Sequence, residues 1–137
     1  MKNLKGNTDG GFTLIELMVV ILIVGVLAAV AIPILRGRID AAKWSEGKAM
    51  MGTVARAIRA YHGEKGPTSN APTTLLPGAT GLGFAAGDLT GSYFIDADFM
   101  FNVTSMDPLT YTATCTPTTI SLSPASYTLN QAGIWTP

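Results

Sequence analysis

Few side chains in this sequence have the chemistry of a catalytic centre. The 137 residues contain one histidine, His62, and one cysteine, Cys115, and only four acidic residues follow Lys65. The sequence offers neither a nucleophile with a paired base nor a cluster with metal-ligand spacing. We therefore expect no enzyme and no cofactor. His62 falls at a predicted helix end, where an interaction with the helix dipole or with solvent is expected.

Glu16 is the acidic residue with the most unusual surroundings, because it is the one charge in residues 12–35, FTLIELMVVILIVGVLAAVAIPIL. At ~1.5 Å per residue this segment forms a helix of about 36 Å, enough to cross a hydrocarbon core of roughly 30 Å. A carboxylate at the centre of such a helix costs about 2.5–3.5 kcal/mol, and less near its end. Glu16 therefore either reaches the headgroup region or has a partner.

Four other sets of side chains are candidates for binding or modification. Asp96 and Asp98 are two residues apart in a predicted strand, so they form a weak calcium candidate, and a solvated strand face is the preferred interpretation. Asn102 begins a glycosylation tripeptide. The threonine-rich strands are candidates for surface attachment, but threonine suits strands because it is β-branched, so no such role is needed to explain them. Basic residues of the second helical half are candidates for binding DNA (Arg56, Arg59, Lys65). Acidic surfaces of neighbouring copies explain these residues more simply, and we expect no clear nucleic-acid site.

The N-terminal half of the chain is predicted to be a polar leader followed by one long helix. Residues 1–11 are the leader, with Lys2, Lys5 and a Gly-Gly end, and residues 12–35 are the membrane helix. An ordinary secretory signal has a shorter apolar region of ~7–15 residues, so we expect this segment to be retained. Lysines and arginines flank it on both sides and leave its orientation open. Pro33 predicts a kink.

The helical pattern continues through residues 36–65 as an amphipathic helix. Apolar residues recur there at helical spacing, with a gap at Glu46, and this stripe comprises Ile39, Ala42, Met50, Val54, Ile58 and Tyr61. Two glycines and Pro67 predict a helix end around His62–Gly66. Residues 66–91 are rich in Gly, Pro, Ala and Thr, which predicts a loop with at most a short helical turn near Gly83–Leu89.

The C-terminal residues 92–137 are predicted to form a small antiparallel sheet. A period of two begins at Ser92, and LTYTATC has the alternation of a half-buried strand with Cys115 facing inward. We interpret Cys115 as a buried small hydrophobe, with pairing between copies as the alternative. With candidate strands at Thr119–Ser123 and Ser126–Gln131, three or four strands result. The helix stripe would cover this sheet, which gives an α+β fold.

Charge is distributed unevenly along the chain although the net charge is zero. Residues 36–65 contain seven basic and three acidic residues, whereas the charged residues of 66–137 are all aspartates: Asp88, Asp96, Asp98 and Asp107. This pattern is typical of two solvated surfaces, or of complementary faces between packed copies.

The stretch GFTLIELMVVILIVGVLAAVAIP closely resembles the N-terminal signature of type IV pilins and of the pseudopilins of type II secretion. In that superfamily a short basic leader ends in glycine, the apolar helix begins with phenylalanine, and a glutamate follows four residues later. Gly11, Phe12 and Glu16 match these positions, and Gly25 and Pro33 match helix-weakening positions. Beyond residue 35 the match is limited to a pilin-like architecture.

The resemblance implies how the chain is processed and where it is found. A prepilin peptidase would cut between Gly11 and Phe12 and methylate the new amine of Phe12. The precursor would lie in the inner (cytoplasmic) membrane with its N-terminus in the cytoplasm. Further implied partners are identical subunits in a helical homopolymer, and the pilus or secretion assembly platform with its ATPase.

The implied function is that of a structural subunit, the major pilin of an extracellular filament. A pseudopilin of a short periplasmic pseudopilus is the alternative. In either assembly the carboxylate of Glu16 would neutralise the Phe12 amine of a neighbouring copy, and one unpaired partner would cost about 3–5 kcal/mol. Gly25 and Pro33 would let the packed helix stretch, although membrane helices often contain such residues anyway.

Overall fold

The computed structural model describes residues 11–137, so residues 1–10 of the predicted leader, including Lys2 and Lys5, lie outside the described residues. The described chain divides into two compact units, residues 11–36 and residues 37–137. Its elements are one helix, one 3₁₀ turn and four strands: α1 (Leu14–Lys65), the 3₁₀ turn Asp96–Asp98, β1 (Phe99–Met106), β2 (Leu109–Cys115), β3 (Tyr127–Asn130) and β4 (Trp135–Thr136).

The first unit is helical from Leu14 onward, and its apolar side chains are exposed on every side. Leu14 is 77% exposed, Leu22 67% and Leu35 60%. A helix that is apolar all round is stable where apolar surroundings cover it. By length and composition this helix can cross a membrane. It continues through Pro33 without a break in helical structure, and the kink expected there stays a prediction.

In the second unit, one face of residues 37–65 packs on the sheet. The buried helix positions are Trp44, Gly47, Met51, Val54, Ala55, Ile58 and Tyr61. Three members of the predicted stripe are therefore confirmed, but Ile39 and Ala42 are exposed and Met50 is only half-buried. The prediction was wrong at these three residues because the buried face of the helix runs through Trp44 and Gly47 instead.

The sheet has four antiparallel strands in the order β1-β2-β3-β4. Its inward residues meet the helix in one hydrophobic cluster that includes Phe99, Tyr111, Ala113, Cys115 and Leu129. The predicted α+β architecture, a long N-terminal helix packed on a small antiparallel sheet, is confirmed. The candidate strand at Ser126–Gln131 is confirmed as Tyr127–Asn130, whereas β4 had no counterpart in the sequence analysis.

Two predicted strand regions were wrong. Residues 92–98 are not a strand, and β1 begins at Phe99, because the residues before it turn through the 3₁₀ segment Asp96–Asp98. Residues 119–123 are likewise irregular. Alternation alone misled in both places, since an irregular segment held by side-chain hydrogen bonds can alternate in polarity without pairing to a neighbour. Residues 66–91 form the predicted irregular loop, with turns rather than a helix near Gly83–Leu89.

Polar side chains of the helix hold the loop between β2 and β3. Asp40 accepts a hydrogen bond from the backbone N–H of Ser123 at 3.2 Å, and the Trp44 indole N–H donates to the carbonyl of Pro124 at 3.0 Å. Both contacts satisfy backbone groups that no strand pairs. The irregular loop is thereby fixed to the helix.

The same helix also holds the loop between α1 and β1. Glu46 accepts a hydrogen bond from the backbone N–H of Tyr93 at 2.9 Å, and the Tyr61 hydroxyl donates to the carbonyl of Asn70 at 3.1 Å. The gap at Glu46 in the apolar stripe therefore has a structural reason. The helix ends as predicted, with Gly66 at a φ of +81°, a conformation that favours glycine.

At Gly47 the helix and the segment before β1 are in close contact. A Cβ atom at this position would lie 2.8 Å from Cζ of Phe94, and Phe94 is fully buried. Glycine costs ~1 kcal/mol relative to alanine inside a helix. Here that cost is offset by the packing of the Phe94 ring against the bare helix backbone.

We predict that Gly47→Ala destabilises the second unit, by roughly 1–3 kcal/mol for an overpacked core. The control is Gly52→Ala, where a Cβ would meet no atom within 4 Å, so the better helix propensity should raise stability by up to ~1 kcal/mol. The measurement is thermal unfolding of the detergent-solubilised full chain, followed by circular dichroism. Equal shifts in the two variants would contradict the role of Phe94.

Candidate functional site

Thr13 and Glu16 form a reciprocal pair of contacts where α1 begins. The Glu16 carboxylate accepts hydrogen bonds from the backbone N–H and from the hydroxyl of Thr13, both at 2.8 Å. In return the backbone N–H of Glu16 donates to the Thr13 hydroxyl oxygen at 3.2 Å. This arrangement is a capping box, which satisfies N–H groups that the first helical turn leaves without partners.

The capping box gives Glu16 partners within its own chain. Its carboxylate also lies at a helix N-terminus, where the helix dipole favours negative charge. Both effects lower the cost of a carboxylate beside an apolar helix. The sequence analysis did not identify Thr13. The spacing Thr-x-x-Glu directly before an apolar run is nevertheless a sequence pattern that predicts a capping box.

The predicted processing residues lie immediately before this box. Gly11 and Phe12 are not helical, and Phe12 is 88% exposed. An exposed peptide bond outside regular structure is the kind that a peptidase can bind. The structure thus brings Phe12, Thr13 and Glu16 together at one end of the helix.

Gly25 and Pro33 lie farther along the same helix and away from the capping box. A Cβ at Gly25 would have no neighbour within 4 Å in the described chain, so packing inside the chain does not require this glycine. Pro33 has no N–H to donate to the preceding turn. Their role in weakening the helix stays a prediction.

Asp96 has a different environment from the one that was predicted. It belongs to the 3₁₀ turn, and its carboxylate accepts hydrogen bonds from the backbone N–H of Gly87, from that of Leu89 at 2.9 Å and from the hydroxyl of Thr90 at 3.1 Å. These donors, the Gly87 N–H first, hold the pKa of Asp96 below its ordinary value. Asp96 therefore fixes the loop before β1.

Asp98 is buried, with 1% of its surface exposed, so a solvated strand face was the wrong interpretation. Its carboxylate accepts the N–H and the hydroxyl of Thr118, at 2.8 and 2.6 Å, and the N–H of Ile95 at 3.0 Å. Asp96 and Asp98 thus serve separate loops. Among residues 11–137 no group of three or more His, Cys, Asp or Glu side chains gathers. The calcium prediction itself stays untested.

Cys115 lies fully buried in the core, as predicted. Burial, together with the nearby charge of Asp98, raises the pKa of the thiol to about 12. The thiol is therefore protonated at neutral pH and behaves as a small hydrophobe. Disulfide pairing between folded copies would require Cys115 to become exposed.

The basic residues of the helix mostly contact uncharged groups. In the described part of the chain the one ion pair joins Lys65 to Glu64 at 2.9 Å. Lys48 lies 4.0 Å from the centre of the Tyr127 ring, and Arg59 donates to the carbonyl of Gln131 at 3.3 Å. Burial of Asp98 removes one of the four acidic residues from the predicted acidic surface.

The comparisons with known proteins agree with the geometry at the start of the helix. The family model described as a prokaryotic N-terminal methylation motif matches residues 6–32, a range that contains Gly11, Phe12, Glu16 and Gly25. The chain therefore carries the N-terminal methylation motif, which supports the resemblance to type IV pilins and pseudopilins. Thr13 and Glu16 of the capping box lie within the matched range.

Two curated proteins are similar to part of this chain. Fimbrial protein EcpC of Eikenella corrodens is 43% identical over 63 residues, which cover 44% of this chain and 41% of that protein. Type II secretion system core protein G of Pseudomonas aeruginosa is 45% identical over 53 residues, which cover 39% and 37%. The chain thus spans about two fifths of the length of these curated relatives. No solved structure matches it significantly.

We predict that Thr13→Val opens the first turn of α1, because loss of an N-cap hydroxyl costs ~1 kcal/mol. Amide hydrogen exchange of Glu16 and Leu17, whose N–H groups donate to Thr13, should become several-fold faster in detergent micelles than in the unaltered chain. Thr13→Ser, which keeps the hydroxyl, is the control and should exchange at the original rate. Unchanged protection in the valine variant would show that the capping box does not stabilise the helix start.

We predict that Asp96→Asn destabilises the second unit in a pH-dependent way. Because the folded-state pKa is lowered, the stabilisation by Asp96 is present above the unfolded-state pKa of about 4 and is lost as pH falls through the folded-state value. The stability difference from the unaltered chain, measured by urea unfolding in detergent, should therefore be largest near neutral pH and shrink in acid. Asp107→Asn, at an exposed residue, is the control. A difference that is constant with pH would contradict this account.

Proposed function

We propose that this chain is a structural subunit, without enzymatic activity, that polymerises into an extracellular type IV pilus-like filament. The observation that carries the proposal is a single carboxylate, Glu16, held by a capping box at the start of an exposed apolar helix. Glu16 lies four residues after Phe12, which would be the first residue of the cleaved chain. Such a helix needs apolar cover, which identical helices in a bundle would provide.

Processing creates the second charge of the assembly. Cleavage between Gly11 and Phe12 gives Phe12 a free amine, one residue from Thr13. In a bundle of identical helices, the Glu16 carboxylate of one copy neutralises the Phe12 amine of its neighbour. Leaving either charge unpaired in apolar surroundings costs about 3–5 kcal/mol, so helices packed out of register are disfavoured.

Affinity and register have separate sources in this scheme. Burial of the apolar side chains of residues 12–35 supplies most of the free energy of association. The charge pair selects the axial register, as a polar group does in a coiled coil. Gly25 and Pro33 weaken the hydrogen bonding of the helix and let it adjust in length within the filament.

The partners and the location follow from the same steps. Before assembly the precursor lies in the inner membrane with its N-terminus in the cytoplasm, where a prepilin peptidase cleaves and methylates it. An assembly platform and its ATPase then move subunits from the bilayer into the filament. Residues 37–137 form the head domain of each subunit.

A second candidate function is a pseudopilin of a type II secretion system, which forms a short periplasmic pseudopilus. It is supported by the similarity to core protein G of such a system. Shearing of cells separates the two candidates, since filament subunits appear in the released fraction and pseudopilins stay in the cell envelope.

We predict that Glu16→Leu and Glu16→Gln both strongly reduce the yield of filaments, because both remove the negative charge of this side chain. Glu16→Leu removes both the charge and the capping contact. Glu16→Gln removes only the charge, because glutamine also completes a capping box. Both variants should insert into the membrane and be cleaved, yet reduce sheared filaments by at least about tenfold, as expected for a pair worth more than ~1.4 kcal/mol. The measurement is immunoblotting of sheared and membrane fractions.

Glu64→Gln, which makes the same change at an exposed carboxylate of the second unit outside the acidic C-terminal section, is the matched control and should leave filament yield unchanged. Normal filament yield from Glu16→Gln would refute the charge pair. Normal yield from both Glu16 variants would refute any role of this carboxylate in assembly.

A further inference from the structure

Strand β1 forms an open edge of the sheet, because in the described part of the chain it pairs with β2 alone. An edge strand presents a row of backbone N–H and C=O groups that no strand pairs. Among residues 11–137, no backbone hydrogen bond joins residues 99–105 to the loop 66–91. Residues 99–105 include neither a charge nor a proline, which commonly protect an edge from pairing. The edge is therefore open to another strand.

A groove of about 440 Å³ lies beside the start of this edge. It is lined by Phe99, Met100 and Phe101 in succession. Since consecutive strand residues point to opposite faces, a groove that contacts all three lies at the edge of the sheet. Its other wall is the loop, whose side chains there are mostly apolar and include Leu75, Phe84 and Leu89. This cavity is called the β1 groove.

Acidic side chains border the β1 groove. Asp96 is one of its lining residues. Asp88 lies beside it, since its exposed carboxylate accepts the backbone N–H of Ala85, another lining residue, at 2.8 Å. The groove thus combines a mostly apolar interior with negative charge. A complementary partner would bring apolar side chains next to a positive charge.

The opposite edge of the same sheet, β4, has this complementary chemistry. Ile134 is 58% exposed and Trp135, the first residue of β4, is 37% exposed. The Lys48 ammonium lies 5.7 Å from the centre of the Trp135 ring. Arg59 donates to the carbonyl of Gln131, in the turn before β4, at 3.3 Å. Apolar side chains and positive charge therefore lie side by side at this edge.

The strand register places the two edges at the same level of the sheet. One row of paired residues begins at Met100 in β1 and ends at Thr136 in β4, and the next row begins at Phe101 and ends at Trp135. Because successive strands are antiparallel, β4 runs opposite to β1. A copy displaced sideways along these rows therefore brings its β4 antiparallel to β1, with Thr136 opposite Met100.

We propose that the β4 edge of one copy docks on the β1 edge of a second copy of this chain and continues its sheet. Backbone hydrogen bonds join the two strands, and the Trp135 side chain enters the β1 groove beside Phe101. Lys48 then approaches Asp96 of the second copy. On the outer face, the contact covers Met100, which is 62% exposed in the single chain. The two edges differ, so the contact repeats from copy to copy.

A single contact of this kind is weak, because β4 offers only two residues for pairing. Many copies held close together raise the occupancy of the contact, since docking then occurs at a high effective concentration. The inference rests on the proposed function for its setting, a filament of copies that share one orientation. It adds a contact between head domains to the packing of the helices. A vesicle crowded with copies replaces the filament in the test.

Disulfide formation tests which residues are neighbours. The full chain with both Met100→Cys and Thr136→Cys is reconstituted at high density in phosphatidylcholine vesicles and treated with a mild oxidant. Opposite residues of antiparallel strands have Cα atoms ~4.5–5.5 Å apart, a separation that a disulfide spans. Within one copy the two residues are three strand spacings apart, about 14 Å, so only different copies can be linked. We expect a ladder of dimers, trimers and larger species on non-reducing gels.

Three controls locate the linkage to the two edges. Thr119→Cys combined with Thr136→Cys moves one cysteine to an exposed loop residue and should give at least about fivefold less linked chain. The unaltered chain should not be linked, because Cys115 is fully buried. Met100→Cys alone and Thr136→Cys alone should stay largely monomeric, whereas a mixture of these two single variants should give dimers.

A charge reversal tests why the edges select each other. In the chain with both edge cysteines, Asp88→Lys places a positive charge beside the groove that receives Lys48 of the neighbouring copy. We expect at least about threefold less linked chain. Glu64→Lys makes the same change at an exposed residue of the helix end and should alter the ladder by less than about twofold. Circular dichroism of all variants checks that the fold is kept.

Three results would overturn the proposal. The first is linkage at the two edges that is no stronger than in the pair with Thr119→Cys. The second is equally strong linkage of Met100→Cys alone, which would show that β1 pairs with β1 of the second copy. The third is an unchanged ladder after Asp88→Lys. Because the vesicles contain no filament, each result can occur whether or not Glu16 drives filament growth, so the two proposals fail separately.

Discussion

The account depends on one constraint, which is that a carboxylate beside a long apolar helix must always have partners. In the isolated chain, Thr13 and the helix N-terminus provide them through the capping box. In the proposed filament, the Phe12 amine of a neighbouring copy does so. Assembly then exchanges one set of partners for another. The net cost of moving the charge is small, whereas a packing error that leaves it alone is expensive.

The second unit depends on contacts that hold its loops, because its sheet is small and its loops are long. Asp40, Trp44, Glu46 and Tyr61 each bind a loop backbone from the same helix. Asp98 adds a buried link between the 3₁₀ turn and the loop after β2. Cys115 is unpaired in the core. These polar contacts therefore fix the loops to the helix, a role that disulfides have in other small domains.

Much of this structure was predictable because it depends on local pattern. The apolar length of residues 12–35, the helix end near Gly66 and the alternation in β2 are properties of short windows, and each prediction was confirmed. The predicted strand from Ser92 failed because Asp96 and Asp98 bind backbone groups of other segments. Polarity alternation does not reveal such contacts.

The candidate site was predictable in part for the same reason. The motif around Glu16 is contiguous, so its residues could be named from the sequence. Thr13 was missed although its spacing to Glu16 is a known helix-start signal. The requirement for Gly47 could not be predicted, since it comes from Phe94, which is far away in sequence and close only after folding.

The most direct test of the central claim is a cryo-electron microscopy reconstruction of the filaments at side-chain resolution. The account predicts that the mature chain begins at Phe12 and that its amine lies within about 4 Å of the Glu16 carboxylate of a neighbouring copy, as in an ion pair. Filaments in which Glu16 still contacts only Thr13 of its own chain, with the Phe12 amine elsewhere, would contradict it.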